Sequence, residues 1–146
     1  MVSGGLLAGA LDITTAFIVY GMFGAKPIPI LQGIAAGVLG PRASAGGYPT
    51  AALGLFFQFV IATGAAVVYY AMARAFPILL RHAVMAGIAY GPVVYFFMNR
   101  VVVPLSAARK YPFSVKMMVI GLAIHIVCVG LPISLAAHRF AARKFV

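Results

Sequence analysis

Asp12 is the one acidic side chain among 146 residues, and no other charge falls between Gly4 and Phe23. A carboxylate in an apolar run must be matched by partners or hold its proton, because such surroundings penalise the ionised form. Three later apolar runs each carry one strongly polar residue: Gln58, Asn99 and His125. An acid and an imidazole at membrane depth suit a proton or ion relay, with Asp12 as carrier and His125 as partner. The same residues equally suit interhelical hydrogen bonds, worth roughly 0.6–2 kcal/mol each. Thr14 and Thr15 stand beside Asp12, although a helical Thr usually bonds back to its own backbone.

Other chemistries find little support. A single acid excludes two-carboxylate catalysis within one subunit. Ser44, Ser106, Ser114 and Ser134 lie in no nucleophile motif. No His/Cys/Asp/Glu spacing suggests a metal site, so neither a metal nor another cofactor is expected. His125 as a haem or metal ligand is a further reading, but a lone membrane His more often packs or hydrogen-bonds. An enzymatic role is therefore less favoured than a non-catalytic one. Cys128 has no second cysteine to pair with and should pack as a small hydrophobe.

The elements that must position these residues follow from composition. Apolar residues make up 64% of the chain and charged ones 8%, too little polar surface for a soluble domain. Several apolar runs reach the ~20 residues that cross a bilayer core of about 30 Å. The expected fold is all-α: a polytopic membrane protein, one domain over residues 1–146, built as a four-transmembrane-helix bundle. The spans are expected at about residues 3–23, 49–73, 83–103 and 115–137, with a short interfacial helix at about 30–39 between the first two. The N-terminal Met-Val-Ser-Gly-Gly lacks the basic start of a secretory signal, so the first run is expected to be a retained helix.

Helical spacing puts Gly5, Ala8, Gly9, Asp12 and Thr15 on one face of the first span. Gly5 with Gly9, and Gly87 with Gly91, form small-xxx-small pairs for close helix packing. Gln58 shares a stripe with Ala62, Ala65, Ala66 and Tyr69, and Asn99 follows Gly87, Gly91 and Tyr95 at spacings of four. His125 shares a face with Gly121, Cys128 and Pro132. At about 1.5 Å per residue, Asp12, Gln58 and His125 approach the midplane, while Asn99 sits nearer the boundary. Asp12 should thus face the bundle interior, within polar contact of the second or fourth span. Tyr48, Tyr69, Tyr70 and Tyr111 are expected to form an aromatic belt, and Pro92 to kink the third span.

The net charge of +10 comes from Lys and Arg flanking the apolar runs, as membrane anchors do. With no basic patch among polar residues, nucleic acid is not an expected partner. The lipid bilayer is, together with a homodimer or a larger membrane complex, for which Gly33 and Gly37 offer a close-packing face. Five basic residues fall on the side of the termini and six on the other, so charge assigns no orientation.

Five segments carry a resemblance: Leu11-Asp12-Ile13-Thr14, Ile30-Leu31-Gln32 with Ala35-Ala36-Gly37, Tyr95-x-x-Met98-Asn99, Val103-Pro104-Leu105-Ser106 and Gly130-Leu131-Pro132-Ile133. Together they resemble a group of small bacterial four-helix membrane proteins, distantly similar to the YagU-like inner-membrane family. The resemblance implies a multi-pass protein of the bacterial inner membrane and carries over no activity. Relatives in that group often have His where Gln58 stands and an uncharged residue at Arg100. The expected function is an accessory or scaffold role in a membrane complex. The alternative is a small transporter or proton-coupled carrier that uses Asp12, His125, Gln58 and Asn99.

Overall fold

The computed structural model describes residues 2–142, so the basic tail residues Arg143 and Lys144 lie outside the described residues. The chain is mostly helical, with no strand among the described residues. We label the helices α1 (Val2–Met22), α2 (Pro27–Leu39), α3 (Gly47–Ala75), α4 (a single turn, Ile78–Arg81), α5 (Ala83–Leu105) and α6 (Val115–Ala142). Four of them, α1, α3, α5 and α6, are long and apolar enough to cross a membrane.

Local chemistry sets the ends. Lys26-Pro27 starts α2, with Pro where a first-turn N–H has no intrahelical partner. Gly40 ends it at φ +64°, and Gly47 opens α3 at φ +63°; a side chain at either would be strained. Between them Gly40–Ala45 forms a tight 3-10 turn rather than an open loop. The second span, α3, therefore starts two residues before Pro49 and runs two past 73, longer than its sequence suggests. Ser114 caps α6 by accepting from the Met117 N–H.

Two spans are not regular α-helices. Within α5, Met98–Val102 adopts π-helical geometry, and within α6, His125–Gly130 does the same. Each π stretch ends within two residues of a proline, Pro104 or Pro132. Proline has no N–H to give and its ring crowds the carbonyl four residues back. Widening the preceding turn accommodates that conflict without breaking the helix. The turn at Pro92, expected to kink, stays within the α-helical part of α5.

In the bundle α1 lies between α3 and α6, and α5 packs along α6. The core joins Ala8 of α1, Ala66, Tyr69 and Ala73 of α3, Tyr90 of α5, and Val129, Ile133 and Ala137 of α6. Small residues dominate because they let backbones approach closely where hydrocarbon gives no hydrophobic drive between helices. Glycines set the closest crossings. A Cβ on Gly5 would stand 2.6 Å from the Cα of Thr63, and one on Gly9 would stand 3.2 Å from the Ala62 Cβ. A Cβ on Gly91 would stand 2.6 Å from the Ile126 Cα, while Gly87 and Gly130 meet backbone to backbone.

Tyr69 does not join the aromatic belt. It is fully buried, edge-on to Tyr90 at 5.0 Å between ring centroids. Its hydroxyl donates to the Leu79 carbonyl at 3.2 Å, and that of Tyr90 donates to the Ala65 carbonyl at 2.7 Å. The buried rings tie α3 to α5, where larger side chains fill the wider gap. Tyr48 and Tyr111 are exposed, as boundary tyrosines should be.

Candidate functional site

Asp12 and Gln58 meet. The Gln58 side-chain amide donates to the Asp12 carboxylate at 2.7 Å, joining α1 to α3. Both side chains are half-buried. The small residues around them explain the contact: Gly9 admits the Phe59 ring and Ala62, so α1 and α3 run close enough for two short polar side chains to touch.

One turn further along α1, Thr15 faces α6. Its hydroxyl and the buried Cys128 thiol lie 3.2 Å apart. This Thr therefore bonds across helices instead of back to its own backbone. Asp12 and Thr15 together link α1 to both of its neighbours, α3 on one side and α6 on the other.

His125 turns to its own helix. Its Nδ1 is 2.9 Å from the Gly121 carbonyl, which can only accept, so Nδ1 is the donor. The ring stands edge-on to Tyr95 at 5.3 Å, and Tyr95 in turn covers Gly121. His125 thus belongs to the α5–α6 seam, and it bonds within α6 rather than to Asp12.

Asn99 does not join the cluster either. It is exposed, and its amide donates to the Tyr95 carbonyl at 2.9 Å within α5. The reason is geometric. A spacing of four advances about 400°, so each step drifts about 40° and three steps carry Asn99 about 120° away from Gly87. Arg100 is exposed beside it. The set expected as one cluster is thus one pair, Asp12–Gln58, with His125 on a neighbouring seam and Asn99 at the surface.

Sequence reasoning missed a second polar anchor. Gln32 is buried on α2, where its amide donates to the Gly47 carbonyl at 3.1 Å and lies 3.4 Å from the Thr50 hydroxyl. Thr50 itself donates to the Ala43 carbonyl at 2.7 Å. A lone Gln in an otherwise apolar helix was the available signal, but its partners belong to a turn with no regular period. Gly54 completes this anchor: the Leu31 carbonyl occupies the place a Cβ would take. The face of α2 with Gln32 is therefore inward. Gly33 on its exposed side has open space beyond it.

Among the described residues, no group of three or more His, Cys, Asp or Glu side chains gathers as a metal site. Every buried side-chain nitrogen or oxygen among them has a hydrogen-bond partner. A cavity of about 590 Å³ opens on the outside of the bundle between α1 and α6; Leu11 lines it and Asp12 does not. No family model matches the chain, and neither a curated protein nor a solved structure matches it.

Proposed function

We propose that this chain is a multi-pass protein of the bacterial inner (plasma) membrane that acts as an accessory or scaffold subunit of a membrane complex, without catalysis of its own. The observation that carries this reading is how the polar side chains of the spans are used. Asp12 takes Gln58, Thr15 takes Cys128, and His125 and Asn99 take carbonyls of their own helices. Each holds the bundle together or is satisfied locally. The resemblance to small four-helix inner-membrane proteins supports the compartment. Exposed Val38 and Leu39 near the end of α2 offer a face to a second copy or another subunit.

Native mass spectrometry of gently solubilised membranes tests the role. Assemblies heavier than the monomer, recovered in several mild detergents, are the expected result. A chain that runs alone under every mild condition would overturn it.

One observation favours a proton-coupled carrier as the second reading. Asp12 is only half-buried and its recorded donor is a single amide, fewer than a carboxylate can accept. Flux into liposomes separates the two. The carrier reading expects flux from wild type and its loss in Asp12→Asn. Equal flux, or none from either protein, removes Asp12 from transport.

A further inference from the structure

From the groove between α1 and α6 we infer a binding site for one anionic phospholipid, its acyl chain lying along the bundle and its phosphate at Arg139. The groove has a cavity volume of about 590 Å³ and runs from Val127 to Phe140 on α6, about 20 Å at 1.5 Å per residue. That length matches most of one bilayer leaflet's hydrocarbon and part of its headgroup zone. Leu7 and Leu11 form one wall; Val127, Leu131 and Leu135 form the other. All but Leu131 are exposed at membrane depth, as contacts to lipid are.

The floor is low because its residues are small. Gly4 packs against Ala136, with only 3.0 Å between a Cβ on that glycine and the Ala136 Cβ. Small side chains bring the helices together while the flanking leucines stand up on both sides. The result is a furrow rather than a flat surface.

Charge is confined to one end. Arg139 lines the mouth, exposed, beside His138. His138 gives its Nδ1 proton to the Leu80 carbonyl at 2.7 Å, so its Nε2 is the nitrogen left to face a headgroup. The chain's single acid, Asp12, does not line the groove and is bonded to Gln58 on the α3 side. A guanidinium at the polar end of an apolar furrow, with no carboxylate lining it among the described residues, complements a phosphodiester whose tail points toward the midplane. Arg presents a planar fork that suits phosphate oxygens, so Lys at this place should hold the lipid less well.

The test is native mass spectrometry of the protein in detergent with equimolar phosphatidylglycerol and phosphatidylcholine of the same chains. Wild type is expected to retain one phosphatidylglycerol in preference to phosphatidylcholine. Arg139→Gln should reduce that preference about fivefold, the effect of removing one cation near a membrane surface. Val127→Trp fills the furrow from an exposed position and should reduce retention of both lipids. Arg109→Gln, on the opposite side of the bundle, should change neither. Equal retention of the two lipids by wild type overturns the proposal. So does a preference that survives Arg139→Gln. Loss with Arg139→Gln but not with Val127→Trp would mean a headgroup held without its chain, and would refute the groove as the site. A dimer that excludes lipid and is broken by Val127→Trp would assign the groove to a second copy instead.

Discussion

The Asp12–Gln58 hydrogen bond makes a quantitative claim. Replacing Asp12 by Leu removes the acceptor and leaves the half-buried Gln58 amide without its partner, a loss of roughly 1–3 kcal/mol. Replacing Gln58 by Leu strands the carboxylate in apolar surroundings, a loss at least as large. Replacing both substitutes an apolar contact for a polar one, which is often nearly neutral. Coupling between membrane-buried polar pairs averages about 0.6 kcal/mol and reaches about 1.7. A short bond of 2.7 Å to a carboxylate belongs in the upper part of that range, about 1–1.7 kcal/mol, or about 5- to 18-fold in the unfolding equilibrium. Asp12→Asn keeps a carbonyl acceptor for Gln58 and should lose less than about 0.6 kcal/mol. Reversible unfolding in lipid bicelles of wild type, both single Leu variants and the double variant measures the coupling. A value below about 0.3 kcal/mol is additivity, and would refute the claim that this pair joins α1 to α3.

Three further outcomes follow from other contacts. Gly130→Val puts a branched side chain where the Gly87 backbone lies, and should destabilise by about 3 kcal/mol or more, measured in the same bicelles. Gln32→Leu leaves the 3-10 corner without its tether and should cost about 1–3 kcal/mol, with faster protease cleavage between Gly40 and Gly47 as the local signature. Cys128 is buried against Thr15, so maleimide labelling of the folded protein in lipid should be slow and should rise sharply on unfolding.

The four spans were legible because a membrane imposes length and apolarity on each segment separately, before any packing is known. Close-packing glycines were legible for a similar reason: Gly5, Gly9, Gly87 and Gly91 carry their spacing within one helix. What depends on two helices at once was less accessible. Depth along the bilayer could be counted from the chain, but azimuth accumulates error. Asn99 drifts off its face through three steps of four, and the π stretch that contains it alters the period again. Tyr69 was read as a boundary residue, yet it ends the stripe of Ala62 and Ala66 that faces the core, so its azimuth buries it against Tyr90. Gln32 found its partners in a turn held by Gly40 and Gly47, where no periodicity exists to be read.

Both polar residues that do not reach Asp12 lie on the π stretches. Asn99 is the second residue of one and His125 the first of the other. Proline downstream at 104 and 132 removes one backbone donor each and widens the turn ahead of it. In α6 that widened turn carries Gly130, which reaches the Gly87 backbone, and begins at His125, whose carbonyl lies 2.8 Å from where a Gly91 Cβ would be. The α5–α6 seam is therefore so tight that His125 has no room to turn through it. It folds back to the Gly121 carbonyl and lays its ring against Tyr95. The α1–α3 crossing is tight at Gly5, against the Thr63 backbone, but opens beside Gly9, where a Cβ would meet the Phe59 ring and the Ala62 side chain, and there two side chains do meet across the gap. Within these two seams the local backbone approach thus separates the outcomes: beside Gly91 and Gly130 it returns His125 to its own helix, and beside Gly9, where side chains fill the crossing, Asp12 reaches Gln58.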